Sequence, residues 1–201
     1  MQELPIYYTC KNQRTVSLTF DDGPTAETLQ LLSVLRTYGI KAAFFVLGNL
    51  VRDSFQKSII QQIVADGHLI CSHGFSHTSL FSLDDYRIAQ ELADTTNSVR
   101  QAAGVTPMHF RPPYGDISDA NSAYIRSLGY RIVKWNVDPI DWEYGASPQT
   151  VIDRVRYEVR ANNGGIVLLH DIHRTTNQAL PSIINFLQSE SYNIVRLDEC
   201  I

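Results

Sequence analysis

Five short stretches carry side chains able to move protons or bind a cation. They are Asp21-Asp22-Gly23-Pro24, His73-Gly74-Phe75-Ser76-His77, Arg111-Pro112-Pro113-Tyr114-Gly115, Asp138-Pro139-Ile140-Asp141-Trp142 and His170-Asp171. Taken singly, each has an ordinary explanation. Adjacent aspartates often serve as an N-cap and its solvated neighbour, an i, i+4 histidine pair is as common on a surface as at a metal, and a strand-end histidine often bonds backbone. The combination is more specific. Two neutral imidazoles and one carboxylate are the ligand set of catalytic zinc sites, which leave a position open for water. One aspartate of the 21–22 pair would complete that set, and the other would be free to act as a base. His170 beside a carboxylate suits a general acid. The Arg-Pro-Pro segment has restricted backbone angles, so it could hold Arg111 against a carboxylate and present a backbone N–H. No thiolate cluster accompanies these residues, which argues against a closed structural zinc site. His68 and His109 read as structural, as does His173, although it lies near enough to His170 to touch a substrate.

The elements between these stretches decide whether they can meet. Thr15 to Phe20 alternates with period two and reads as a strand. Leu29, Leu32 and Leu35 recur at helical spacing from Glu27 to Tyr38, and Gly39 stops the helix. Further strands are expected at Ala42–Val46, His68–Ser72, Met108–Phe110, Tyr130–Trp135, Gly165–Leu169 and Tyr192–Arg196. Helices are expected around Ile59–Val64, from about Asp84 to Gly104, at Asn121–Leu128, from Pro148 to about Arg160, and at Gln178–Ser189. Strict alternation of strand and helix implies parallel strands with helical crossovers. Each polar stretch follows a strand, and five different strand ends contribute. An open sheet would gather them from two or three strands at a switch point, whereas a barrel gathers all of them on one rim. The expected fold is therefore a distorted parallel (β/α) barrel of about seven strands, similar to a TIM barrel, forming one domain over 1–201.

The 201 residues carry 17 Lys+Arg against 21 Asp+Glu, a net charge of −4, with 44% hydrophobic residues. That composition supplies one sizeable core and argues against nucleic-acid coating or disorder. No apolar run approaches the ~20 residues of a membrane span. The first ten residues lack the basic start and apolar stretch of a signal peptide. Cys71 sits in an apolar strand and is expected in the core. Cys10 and Cys200 allow either a bridge closing nearly the whole chain or two unpaired thiols. A bridge would imply an oxidising compartment and a leader removed from this chain.

In this order, the five stretches resemble the motifs of polysaccharide deacetylases of carbohydrate esterase family 4, the NodB homology domain. Thr19-Phe20-Asp21-Asp22-Gly23-Pro24 resembles the first motif, His73 with His77 the second and Arg111-Pro112-Pro113-Tyr114 the third. Asp138 to Trp142 resembles the fourth and Leu168-Leu169-His170 the fifth. The resemblance implies a metal held by Asp22, His73 and His77, most often Zn2+, with Co2+ as an alternative. It implies Asp21 as general base paired with Arg111, and His170 as general acid oriented by Asp141. Tyr114, through its backbone N–H, would complete an oxyanion hole, and Pro113, Trp142 and Leu168 would bind substrate, the last two around the acetyl methyl. Cys10 and Cys200 resemble the terminal disulfide of fungal-type chitin deacetylases, as does His170-Asp171-Ile172-His173.

The implied activity is metal-dependent removal of N-acetyl groups from N-acetylglucosamine polymers, chitin or chitooligosaccharides first, releasing acetate. Alternatives are a peptidoglycan N-deacetylase, an acetylxylan esterase, or an impaired member that binds saccharide without turnover. The last arises at Gly74, where the family usually has a Ser or Thr whose hydroxyl would steady the ligand loop. A looser loop is expected here, and such a loss of outer support costs roughly 10–100-fold in metal affinity or activity. The expected partner is an N-acetylated glycan, with neither nucleic acid nor membrane span, the chain being a monomer that is secreted or held in the cell wall.

Overall fold

A computed structural model describes residues 5–201, so residues 1–4 of the expected 1–201 domain lie outside the described residues. Seven parallel strands alternate with helices. They are β1 (Thr15–Asp21), α1 (Ala26–Tyr38), β2 (Ala43–Val46), α2 (Ser54–Ala65), β3 (Leu69–Ser72), α3 (Asp85–Ala103), β4 (His109–Phe110), α4 (Asp119–Ser127), β5 (Arg131–Ile132), α5 (Pro148–Asn162), β6 (Gly165–His170), α6 (Arg174–Ser189), β7 (Asn193–Ile194) and a last turn of helix, α7 (Leu197–Cys200). The strands lie in the order β5-β4-β3-β2-β1-β6, with β7 beside the start of β1. The sheet curls until Val137, beyond β5, pairs with Val167 of β6, and the Leu168 N–H donates to the Val137 carbonyl at 2.9 Å. This is the distorted parallel barrel expected from polar stretches at five different strand ends.

Alternation along the strands separates two environments. Val16, Leu18 and Phe20 of β1, Phe44 and Val46 of β2, and Val167 and Leu169 of β6 pack outward into a core shared with α1, α2, α5 and α6. The intervening Ser17, Thr19 and Asp21 face the other way, so the barrel interior becomes polar toward the C-terminal end of β1. On α1 the core face is Thr28, Leu31, Leu32 and Leu35, while Leu29 is 38% exposed. The leucine spacing alone had put Leu29 in the apolar set.

The opposite end of the barrel is closed by apolar packing. Cys10, Cys200 and Leu197 form a cluster with Ala43, Phe45, Cys71, Val133 and Ile166. Cys10 and Cys200 are disulfide-bonded across a separation of 190 residues, and the Lys11 N–H donates to the Cys200 carbonyl at 2.8 Å. Cys71 is a buried free thiol, its pKa pushed well up by burial. Because the bridge closes so long a loop, loss of unfolded-chain entropy is worth about 5 kcal/mol in the chain-entropy account. A Cys10→Ser/Cys200→Ser variant should therefore unfold at a clearly lower urea midpoint than the parent under non-reducing conditions. The two midpoints should converge once the parent is reduced.

Candidate active site

Register brings the polar strand ends together before any side-chain detail. Asp21, the last residue of β1, is the direct strand partner of His170, the last residue of β6. His73 follows β3 and Arg111 follows β4, whose Ser72 and Phe110 are themselves partners. Asp138 and Asp141 follow Val137, which lies against β6. All therefore occupy the rim where a parallel barrel presents its loops. A cavity of about 440 Å3 opens there, lined by Asp21, Asp22, His73, His77, Tyr114, Trp142, Leu168 and His170, with Pro112, Trp135 and Asp138.

Asp22, His73 and His77 offer one ligand atom each, all within 4.8 Å of one another. His73 Nε2 lies 3.5 Å and His77 Nε2 3.3 Å from Asp22 Oδ1. Neighbouring ligands in a tetrahedral zinc site with bonds of ~2.1 Å are about 3.4 Å apart, so the donor set fits a divalent ion. His73 is buried, and its Nδ1 lies 2.8 Å from the Arg111 carbonyl. That contact fixes Nδ1 as the protonated nitrogen and leaves the Nε2 lone pair free. Burial lowers the His73 pKa against the pull of Asp21 and Asp22, with His77 adding to the effect. Burial opposes charge on Asp22 too, but a hydrogen bond from His77 and the charges of His73, His170 and His77 outweigh it, lowering its pKa to about 2. A neutral imidazole and an ionised carboxylate are the states a metal needs. Asp22 and His77 hold left-handed backbone angles, φ 77° and 60°, a cost of order 1–3 kcal/mol each that surrounding structure must sustain.

Two buried pairs flank the ligands. Arg111, 0% exposed, donates from Nη1 to Asp21 Oδ1 at 2.7 Å and to Thr19 Oγ1 at 2.9 Å, and from Nη2 to the Lys134 carbonyl at 3.1 Å. Its guanidinium lies 4.1 Å above the Phe45 ring. Opposite, His170 Nδ1 and Asp141 Oδ1 are 2.7 Å apart, and Asp141 Oδ2 accepts from the His170 N–H at 2.8 Å and the Thr176 hydroxyl at 2.5 Å. Burial disfavours a proton on His170. The Asp141 hydrogen bond and charge, helped by Asp21 and Asp22, prevail and push its pKa up to about 9.

The Gly23 backbone meets Asp171 so closely that a Cβ on Gly23 would lie 2.2 Å from Asp171 Oδ2. Glycine is thus required where the aspartate loop crosses the end of β6. Asp171 accepts from Thr28 at 2.6 Å. Burial, opposed by that bond and reinforced by the charges of Asp22 and Asp21, raises its pKa to about 7. His68 and His109 are buried away from the rim, and burial lowers both to about 4. His68 Nδ1 accepts the Ala42 N–H at 3.1 Å, a structural role. The His173 ring lies 5.8 Å from that of His170.

Of the residues expected to bind substrate, Tyr114, Trp142 and Leu168 line the cavity, Tyr114 with its ring 4.6 Å from that of His77. Pro113 is buried, with its Cγ 3.9 Å from where a Cβ on Gly74 would lie, and the proline among the residues lining the cavity is Pro112. Sequence reasoning gave no role to Trp135 or Asp138, although Asp138 stands in the fourth motif. Asp138 Oδ2 accepts from Trp135 Nε1 at 3.2 Å, which ties two walls of the cavity together.

A parallel βα barrel with two histidines and an aspartate converging on its rim defines a class of open, metal-fitted sites. The polysaccharide deacetylase family profile matches residues 8–133, and the chain belongs to that family. It is 32% identical over 198 residues to the peptidoglycan-N-acetylglucosamine deacetylase PgdA of Listeria monocytogenes, covering 98% of this chain and 41% of that protein. It is 31% identical over 201 residues to the chitin deacetylase of Colletotrichum lindemuthianum, covering 96% of this chain and 81% of that one. The solved structure of the Colletotrichum enzyme superposes with a TM-score of 0.94 at 29% identity, covering 100% of this chain and 93% of that chain. A Bacillus anthracis protein described as a family 4 pseudoenzyme superposes with a TM-score of 0.88 at 25% identity, over 100% of this chain and 69% of that one. The chain thus spans about two fifths of the length of its Listeria relative and most of the fungal one.

Proposed function

We propose that the chain is a metal-dependent N-deacetylase of N-acetylglucosamine polymers, chitin or chitooligosaccharides first, that releases acetate. The observation carrying this reading is the arrangement of Asp21–Arg111 and His170–Asp141 on either side of Asp22, His73 and His77 in one cavity. The first pair suits a base and the second an acid. An amide is a poor electrophile, and an amine anion cannot leave near neutral pH, so hydrolysis needs both. Asp22, His73 and His77 would hold the ion, and their mixed imidazole–carboxylate set suits Zn2+. Such an ion supplies polarisation of the acetyl carbonyl and a more acidic water.

Asp21, held by Arg111, takes the proton of the attacking water, and the Tyr114 N–H donates to the developing oxyanion. His170, protonated near neutrality because Asp141 stabilises its charge, hands its proton to the departing nitrogen. Trp142 and Leu168 enclose the acetyl methyl. The nearness of Cys10 and Cys200 in a disulfide supports a secreted or wall-associated protein. No helix among the described residues is long and apolar enough to cross a membrane.

The test is acetate release from chitooligosaccharides by Zn2+- or Co2+-loaded protein, with peptidoglycan and acetylxylan run in parallel. Acetate from chitooligosaccharides well above the other two is the expected result. Saccharide binding with no acetate at full metal occupancy would replace this reading with that of a binding protein.

A further inference from the structure

We propose that Glu91 of α3, outside the ligand set, is the positioning residue that holds the His73–His77 turn in its metal-binding shape, replacing the support a hydroxyl at position 74 would give. The inference rests on the metal-site reading above. The turn is gripped from two sides. Glu91 Oε2 accepts the N–H groups of Phe75 and Ser76 at 2.7 and 2.8 Å, and Oε1 accepts the Ser76 hydroxyl at 2.7 Å. Opposite, the N–H groups of Gly48 and Asn49 donate to the carbonyls of Gly74 and Phe75 at 3.1 and 3.0 Å. Every one of these contacts falls between the two imidazole ligands, so a turn released from them would carry His77 away from Asp22. Hydrogen bonds to a carboxylate are roughly twice as strong as neutral ones. Ile88 and Leu92 anchor the surrounding turns of α3 in the core, which fixes where the carboxylate stands.

Gly74 belongs to the same device. Its φ is +80°, and a Cβ there would lie 3.3 Å from Glu91 Oε2 and 3.9 Å from Pro113 Cγ. A serine or threonine would strain the backbone and press on the carboxylate that holds the turn. In this backbone a side chain at position 74 would crowd the carboxylate, and this chain carries glycine there. His77 itself sits at φ 60°, a conformation that a non-glycine residue keeps only when its surroundings enforce it.

The experiment is calorimetric titration of the metal-free protein with Zn2+, together with the visible spectrum of the Co2+ form. Glu91→Ala is expected to lower Zn2+ affinity by about 10–100-fold and to alter the Co2+ bands. Glu91→Gln should stay within about threefold of the parent, since one amide oxygen can take both N–H groups while the NH2 donates to Ser76. Affinity in Glu91→Ala equal to the parent's overturns the proposal. Equal losses in the alanine and glutamine variants also overturn it, because they trace the effect to charge and not to the grip. Should Glu91→Ala fail to fold, Glu91→Asp reads the same contact, since its shorter side chain draws the carboxylate back from the Phe75 and Ser76 N–H groups: a loss of about tenfold supports the grip, and parental affinity overturns it. A parent that binds no Zn2+ overturns the metal-site reading itself, an outcome distinct from all of these.

Discussion

Asp21→Asn is expected to lower acetate release from chitooligosaccharides by about 10²–10⁴-fold while leaving Zn2+ affinity within about tenfold of the parent. The two readouts separate because Asp21 and Asp22 are adjacent yet differently placed. Asp22 Oδ1 lies between the two imidazole nitrogens. Asp21 Oδ2 is 3.7 Å from His73 Nε2, and its Oδ1 is occupied by Arg111. Asparagine preserves shape and can still accept from Arg111, but it cannot take a proton from water. The substitution has a second consequence. Arg111 is fully buried, and without the Asp21 charge its guanidinium has no countercharge in that contact. Removing one partner of a buried pair typically costs about 3–5 kcal/mol, so the urea midpoint should fall as well. His73→Ala makes the contrast, losing both metal and turnover. An Asp21→Asn protein that keeps parental turnover would remove the base assignment.

Much of this geometry was legible in the sequence because it depends on strand ends. Asp21, His73, Arg111, Asp141 and His170 each follow or terminate a strand, and a parallel barrel sends all such ends to one rim. Periodicity found the long elements, where burial on one face repeats many times. It overran β5, which pairs as a strand only at Arg131–Ile132. Beyond that point the Lys134 N–H donates to the Tyr7 carbonyl and Val137 turns to β6, partners that no local pattern encodes. The start of α6 is another tertiary effect. Arg174 to Asn177 is a polar, threonine-rich stretch with weak helix propensity, but Thr176 bonds Asp141 and Asn177 bonds Glu27. Those contacts extend the helix four residues before the expected Gln178. Supporting side chains were the least legible. Glu91 and Thr176 look like ordinary surface or helix residues until the fold brings a turn or a carboxylate against them. The departure at Gly74 could be seen, but its compensation 17 residues later could not.

The second large effect belongs to His170, the proposed acid. Replacing Asp141 with Asn should lower kcat by about 10²-fold or more near pH 8 and move the alkaline limb of the pH profile toward acid by at least about one unit. In the parent, burial works against the His170 proton, and the Asp141 hydrogen bond and charge overcome it to give a pKa of about 9. With Asp141 neutral, only the charges of Asp21 and Asp22 still oppose burial, and the imidazole loses its proton at a lower pH than in the parent. A bound divalent ion adds positive charge nearby, so the alkaline limb of the loaded parent falls at or below pH 9. The same linkage governs stability of the metal-free protein. His170 is raised from 6.5 in the unfolded chain to about 9 when folded, so its contribution of about 3 kcal/mol is fully present below pH 6.5 and is lost as pH rises through 9. The difference in urea midpoint between parent and Asp141→Asn should therefore shrink from pH 6 to pH 10. Thr176 tests the sense of the argument. Its hydroxyl withdraws charge from Asp141, so Thr176→Val should strengthen the Asp141–His170 pair and shift the alkaline limb upward, opposite to Asp141→Asn. If both variants shift it the same way, Asp141 does not set the His170 proton, and the acid must be sought elsewhere on the rim.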